Sequence, residues 1–321
     1  MQVNWTGVFP AVATQMNEDG SIDFDMTAKQ IEDLITAGVD GLVMLGSVGE
    51  NTALEPDEKI AVLKLAVEVT KGRIPVLSGV AENSTRAAIR YVQECEKLGA
   101  DGLMLLPGMV YTADPRENIE HFRTVAGGTK LPIMIYNNPG AYRIDIKPEE
   151  FNQLADVKNL VAIKESSGDP RRITDIYNAC GDRFVLFCGM DDLVMETQVL
   201  GAVGWISGFT DAFPKESVAL WKLLSEGKYK EALEIYQKLT LIRQCQEVII
   251  REYDKDEMKT PVHLGIGLEG ISVGVAHCLP PNTKSFGQLR NHGQYLAITG
   301  ETDKFFSELY GRTTGVGGGK A

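Results

Sequence analysis

The 321-residue sequence contains no run near the roughly 18 apolar residues of a spanning helix, and no basic start leading into an apolar stretch. Neither a membrane segment nor a secretory signal is therefore expected, and the reading is cytoplasmic. Positive charge is scarce: 32 Lys and Arg against 44 Asp and Glu leave a net charge of −12. That balance argues against broad contact with nucleic acid or an anionic membrane surface. Cys95, Cys180, Cys188, Cys245 and Cys278 are odd in number and form no CxxC pair, which indicates reduced thiols and no disulfide framework. His121, His263, His277 and His292 show no ligand spacing, so no catalytic metal is expected, and a GxxxxGK[ST] phosphate loop is missing. "GIGLEG" at 265 to 270 fits GxGxxG but has no βαβ pattern around it, and the sequons at Asn4 and Asn83 lack a secretory context. No cofactor is expected.

What is present is a core and a rhythm. Hydrophobic residues make up 44% and charged residues 24%, the balance of a globular chain that can bury a sizeable interior. "AGVDGLVMLG" at 37 to 46 and "LGADGLMLLP" at 98 to 107 are nearly one phrase, echoed by "LGAVGWISG" at 200 to 208. Each reads as a small-residue helix end followed by a short apolar strand, the pattern of a covered parallel sheet. The same reading gives strands near 7–14, 41–46, 74–79, 102–106, 132–136, 160–164, 184–188 and 203–207. Helix-start signals lie between them: Asp23 and Asp25, Pro56, Ser84, Pro115, Pro148, Pro170 and Pro214. Such alternation predicts an α/β fold, a (β/α)8 TIM barrel over 1–225, with an added C-terminal helical region at 226–310 and a glycine-rich flexible tail at 311–321.

In a barrel of this kind chemistry sits at the carboxyl ends of the strands. Those ends read Gly46-Ser47-Val48-Gly49-Glu50, Tyr136-Asn137-Asn138-Pro139, Lys164-Glu165-Ser166, Cys188-Gly189-Met190-Asp191 and Ile206-Ser207-Gly208. Lys164 closes the apolar run "NLVAIKESSGD". An amine removed from water is disfavoured in its charged form, which frees the lone pair to attack a carbonyl carbon. A phenol on the adjacent strand, Tyr136, could shuttle the protons that forming and breaking a carbinolamine requires. "GSVGE" offers the Ser47 hydroxyl and unobstructed backbone N–H groups to a carboxylate, with Glu50 bracing the loop by pointing back into the barrel wall. Taken singly, each has a plain explanation: a solvated lysine, a rim tyrosine packed on a loop, a glycine turn. Their meeting on one rim points to chemistry.

These residues resemble a known family. "GSVGEN", "YNNPGAY" and "VAIKESSGD", in order and at the family's spacing within residues 5–225, are similar to the dihydrodipicolinate synthase and N-acetylneuraminate lyase family of class I aldolases. The resemblance implies a Schiff base between Lys164 and C2 of a 2-oxo acid or its imine, with Tyr136 as proton shuttle. It also implies a 2-oxo-carboxylate pocket lined by Ser47, the backbone N–H of Val48, Gly189 and Ile206, and a homotetramer built as a dimer of dimers.

Departures bear on the substrate. Val48 stands where the synthase branch has threonine, Ala141 where it has arginine with Arg143 nearby in another register, and "PGMVY" where it has an interface tyrosine pair, leaving Tyr111 as candidate substitute. With "GVFPAVATQ" and "VLSGVAE", the sequence is most similar to the branch that includes 1-pyrroline-4-hydroxy-2-carboxylate deaminase. Asn138, where relatives carry valine, is expected to meet the substrate's hydroxyl or ring nitrogen. The alternatives are a 2-keto-3-deoxy sugar acid aldolase or dehydratase, dihydrodipicolinate synthase itself, and a barrel that binds a 2-oxo acid without turnover. "HCLPPNTKSFGQLRNHGQYLAITG" at 277 to 300 follows the family's compact helical ending poorly.

Overall fold

A computed structural model describes residues 2–108, 111–253 and 292–316. Its strands are β1 (Gly7–Pro10), β2 (Leu42–Met44), β3 (Val76–Val80), β4 (Gly102–Leu105), β5 (Ile133–Asn137), β6 (Leu160–Glu165), β7 (Val185–Cys188) and β8 (Gly204–Ser207). All pairings along the sheet are parallel, in the order β1-β8-β7-β6-β5-β4-β3-β2. The ring is completed between β1 and β2 by a single parallel bridge, Ala11 to Val43, where the Val12 N–H donates to the Val43 carbonyl at 3.0 Å. The architecture is a (β/α)8 TIM barrel.

The helices of the barrel are α1 (Phe24–Ala37), α2 (Pro56–Thr70), α3 (Thr85–Leu98), α4 (Pro115–Gly127), α5 (Pro139–Tyr142), α6 (Pro148–Gln153), α7 (Arg171–Cys180), α8 (Val194–Val199) and α9 (Pro214–Ser225). Asp23 and Ser84 cap α1 and α3 through their side chains, as their position before apolar periodic segments predicts. The repeated phrase has a structural reason. Gly38 and Gly99 end α1 and α3 in the left-handed conformation, at φ 94° and 82°, which only glycine adopts without penalty. The aspartate two residues on then stitches the neighbouring strand: Asp40 accepts from the Val8 N–H at 2.8 Å and Asp101 from the Val76 N–H at 2.9 Å.

Two differences from the sequence expectation matter. β2 stops at Met44 rather than 46, because Leu45 takes φ 56° and turns the chain into the "GSVGE" loop. The short helix α5, inside what reads as a loop, is started by Asn138 as N-cap and Pro139 at its first position.

Side chains alternate between two cores. One, between strands and helices, includes Leu42, Leu63, Phe122, Ile163 and Leu186; the other fills the barrel itself. Low in that interior, large rings meet glycines. A methyl on Gly41, Gly102 or Gly204 would lie 2.1, 2.4 or 2.2 Å from Phe9, Trp5 and Phe187 respectively. Phe9 and Phe187 pack edge to face at 5.4 Å, a favoured aromatic arrangement.

The chain divides into two compact units, Met1–Trp221 and Lys222–Ala321. Within the second, α10 (Tyr229–Tyr253), α11 (His292–Thr299) and α12 (Thr302–Leu309) gather Cys245, Ile249, Leu296, Phe305 and Leu309 into a small core. "GIGLEG", His263, His277 and Cys278 lie outside the described residues. Among the described residues no helix is long and apolar enough to cross a membrane.

Candidate active site

Register and pleat place the central pair. β5 and β6 run side by side with Tyr136 opposite Lys164 and Asn137 opposite Glu165. Since successive side chains on a strand face opposite ways, Tyr136 and Lys164 enter the barrel while Asn137 and Glu165 face the helices. Lys164 is 6% exposed and its Nζ lies 3.9 Å from the centre of the Tyr136 ring, itself 5% exposed. Burial alone would raise the Tyr136 pKa. The charge of Lys164 and hydrogen bonds with Asn138, Lys164 and Ser166 outweigh it, so this phenol ionises more readily than an ordinary tyrosine.

Asn138 has two partners within the protein. Its Nδ2 donates to the Tyr136 hydroxyl at 2.9 Å and its Oδ1 accepts from the Ala141 N–H at 3.0 Å, capping α5. This amide therefore also fixes the phenol, a task beside the expected contact with a substrate hydroxyl or ring nitrogen, for which its second N–H remains. α5 in turn delivers a residue that sequence reasoning passed over. Tyr142 packs edge to face on Tyr136 with ring centres 5.5 Å apart, and its hydroxyl hydrogen-bonds the Ser47 hydroxyl. The Tyr142 phenol is pushed up to about 12, by burial first and then by the neighbouring Tyr136 phenol, against the pull of Ser47.

The loop carrying Ser47 and Val48 is held by backbone and buried polar groups. The Glu50 N–H donates to Ser47 O at 3.2 Å, the Thr14 hydroxyl to Gly49 O at 2.7 Å, and Asn51 Nδ2 to Gly79 O at 3.3 Å. Glu50 takes φ 55° and its side chain is exposed, not turned into the wall; its main chain, together with buried Asn51, is what braces the loop. Val48 is 43% exposed, and a methyl on Gly208 would sit 3.6 Å from it, so the loops after β2 and β8 meet across the mouth.

Gly189 must be glycine here. A Cβ would fall 1.9 Å from Ser166 Oγ and 2.8 Å from Lys164 Cε, in the space the lysine stem occupies. Its N–H is already given to Glu165 O at 2.9 Å, which leaves its carbonyl and its lack of side chain as its offer to the pocket. Ile206 lies deeper, buried beside Phe9 of β1 and in the same interior core as Tyr136. Arg143 ends α5 at φ 59° with an exposed side chain, and Tyr111 is 84% exposed.

Behind the pair, Asn137 Nδ2 donates to Glu165 at 3.0 Å and to Asp145 at 3.2 Å, and Arg172 grips Asp145 with two bonds of 3.0 Å. Burial raises the Glu165 pKa, and Ser167 and Asn137 only partly offset that. This tier locks the ends of β5 and β6 to the start of α7, an arrangement that fixes a site on rigid elements.

A second acidic pair went unread in the sequence. Asp191 accepts from Trp205 Nε1 at 3.0 Å and from the Phe209 N–H at 3.2 Å, and Asp211 accepts from the Ala13 N–H at 2.9 Å. Burial raises Asp191 from the ordinary 3.8 to about 6, and burial plus the charge of Asp191 raises Asp211 to about 7. Both carboxyls bind a proton more tightly folded than unfolded. The stability they contribute is whole below the ordinary 3.8 and is lost as pH rises through about 6 to about 7. Asp211→Asn, which keeps an acceptor for Ala13, should match the parent near pH 3, pull ahead as pH rises above the ordinary 3.8, and exceed it at pH 8 by about 1 to 3 kcal/mol in urea melts. Equal stability at pH 8 would show that the ionised pair is fully compensated.

Residues 4–292 match the dihydrodipicolinate synthetase family. The chain belongs to that family. It is a class I aldolase-type Schiff-base lyase of the dihydrodipicolinate synthetase group. Among its relatives is a 4-hydroxy-tetrahydrodipicolinate synthase of Bacillus subtilis, 32% identical over 273 residues, which covers 85% of this chain and 92% of that protein. Another, of the same name and from Methanococcus vannielii, is 35% identical over 235 residues, 73% of this chain and 80% of that one. Of solved structures, a prophage protein of the family from E. coli K12, crystallised with pyruvate, aligns with TM-score 0.75 at 28% identity over 94% of this chain and 99% of its own. The relatives named here carry the synthase's name, not the deaminase's.

Proposed function

We propose that Lys164 forms a Schiff base with C2 of a small 2-oxo acid or cyclic imine, and that the substrate is 1-pyrroline-4-hydroxy-2-carboxylate, converted to 2,5-dioxopentanoate and ammonia. The observation that carries the chemistry is the Lys164 amine stacked 3.9 Å over a buried tyrosine whose phenol ionises readily. In this reading the Lys164 nitrogen bonds to C2, and the ring nitrogen takes the Tyr136 proton and leaves C2, opening the ring. The Tyr136 phenolate then takes a proton from C3, and the electron pair expels the 4-hydroxyl, which departs with a proton as water, leaving a C3=C4 double bond. A proton moves from C5 to C3, and the resulting enamine shifts a proton from its nitrogen to C4, so that the C5 amine becomes an imine. Two further waters hydrolyse this imine and the one on Lys164, freeing ammonia and Lys164, so one water is consumed overall. Ser47 and the Val48 loop would hold the carboxylate, Gly189 the space beside the lysine, and Ile206 the apolar wall.

The substrate choice rests on departures from the synthase pattern. Ala141 replaces the arginine that would meet a second carboxylate, and Arg143 is the exposed end of α5. A synthase reading has its own support in the names of the relatives at 32% and 35% identity. The deciding measurement is ammonia release from 1-pyrroline-4-hydroxy-2-carboxylate, run beside condensation of pyruvate with aspartate semialdehyde. Ammonia in the first assay alone supports the deaminase; consumption of pyruvate in the second alone replaces it with the synthase. Silence in both, with pyruvate released from a 2-keto-3-deoxy sugar acid, would turn the reading to an aldolase. We also expect a homotetramer, which light scattering would test.

A further inference from the structure

We infer that the hollow between α1 and the start of α9, walled in part by Asp211, is a regulatory site for a small organic ammonium ion. The hollow holds about 260 Å³, and Gln15, Met26, Lys29, Gln30, Leu34 and Asp211 are among its lining. That is below the ~300 to 1,000 Å³ of sites for drug-sized ligands, so a short amine is the size it takes. Its wall carries a charge without a counterpart. Asp211 accepts from the Ala13 N–H at 2.9 Å through Oδ2, whereas Oδ1 is buried without a hydrogen-bond partner. Gln30 shares the wall, but its Oε1 is engaged by Gln15 Nε2 at 2.6 Å, and its pull on the Asp211 carboxyl is outweighed by that of the Ala13 N–H. Lys29, the lysine on this wall, pairs with Asp33 instead, and Asp191 on the mouth side adds repulsion. A carboxylate so placed gains most from a cation that brings its own N–H donors, and Met26 and Leu34 beside it favour one with an apolar part.

The place of the hollow makes it regulatory. Asp211 ends the turn Phe209–Asp211, which follows Gly208 at the mouth and whose first N–H is held by Asp191. Through Ala13 the same carboxyl holds the chain next to Thr14, whose hydroxyl binds Gly49 O in the loop that carries Ser47 and Val48. One side chain thus ties the two loops that meet across the mouth, and a cation drawing on it acts on both without entering the barrel.

Butylammonium chloride is the probe, at constant ionic strength and pH 8, where the amine is charged and Asp211, raised to about 7, is mostly ionised. Calorimetry should show binding at about millimolar concentration, at least about threefold tighter than that of methylammonium because more methylenes are buried. Asp211→Asn should weaken it at least about tenfold. Met26→Trp, which keeps the carboxyl and fills the hollow, should do the same, and it carries the test if Asp211→Asn melts early. Asp25→Asn removes an exposed acid beside Met26 and should bind as the parent does, which separates a site from general attraction to an acidic protein. No binding by the parent, undiminished binding in Asp211→Asn and Met26→Trp, or equal loss in Asp25→Asn overturns the inference. Regulation is read by borohydride trapping of pyruvate on Lys164 with mass spectrometry, which rests on the Schiff-base reading; the calorimetry does not. Bound butylammonium should shift the pyruvate concentration for half-maximal trapping at least about fivefold in the parent and not in Asp211→Asn. Binding without that shift overturns the regulatory role. A parent that traps no pyruvate overturns the Schiff-base reading and the regulatory role with it, while the calorimetry still decides the site.

Discussion

Lys164→Ala should reduce turnover at least about a thousandfold and abolish the borohydride adduct, since the Schiff base forms on the amine that is removed. A strand-end side chain at a barrel rim would ordinarily contribute little core packing. At 6% exposure, with its stem against Gly189 and its amine on the Tyr136 ring, Lys164 is part of the interior. Truncation to alanine leaves a cavity that should cost about 1 to 3 kcal/mol, so a lower melting temperature is expected beside the lost activity. Lys164→Met, which keeps most of the volume, separates the effects: it should be inactive yet melt close to the parent. Turnover by a folded Lys164→Met would sink the mechanism.

Tyr136→Phe is the next largest effect. The ring stays beneath the Lys164 amine and only the hydroxyl goes, so the change reports proton transfer and not packing. We expect kcat to fall about 100- to 10,000-fold, the range for removing a general acid–base group. Asn138 Nδ2 loses its acceptor in that variant, a loss of about 1 kcal/mol in stability. The pH profile adds a second readout. Because the Tyr136 phenol ionises below its ordinary 10, the parent's exchange of pyruvate protons should rise with pH and level off before 10; the Phe variant should lack that limb. A profile of the same shape in both proteins would assign the limb to another group.

Much of this was legible in the sequence because barrels write themselves in repeats. The near-identical phrases at 37 to 46 and 98 to 107 encode one local solution, a glycine helix end and an aspartate stitch, and the structure uses both copies alike. From β3 to β8 the strand ends fall within about a residue of where the apolar runs stop, whereas β1 and β2 end earlier. Less was legible where function depends on side chains meeting from distant positions. Tyr142 sits within the "YNNPGAY" motif, but its contact with Ser47 depends on α5, a single turn set by Asn138 and Pro139 that reads as a loop. Asn138 reads as a substrate ligand because its amide is polar and near the rim; nothing in the sequence reveals that the same amide also holds the Tyr136 hydroxyl and caps α5. The Asp191 and Asp211 pair escaped because acidic residues after strands are ordinarily solvated, and burial is a tertiary property.

The ring-on-glycine contacts low in the barrel bear on traffic. With Trp5, Phe9 and Phe187 filling the space over Gly102, Gly41 and Gly204, the lysine stands at the head of a cul-de-sac. Whatever enters past Val48 and Gly208 must leave the same way. A small leaving molecule, water or ammonia, therefore has to slip past a larger partner still tethered to Lys164, and the covalent bond itself sets the order of departure.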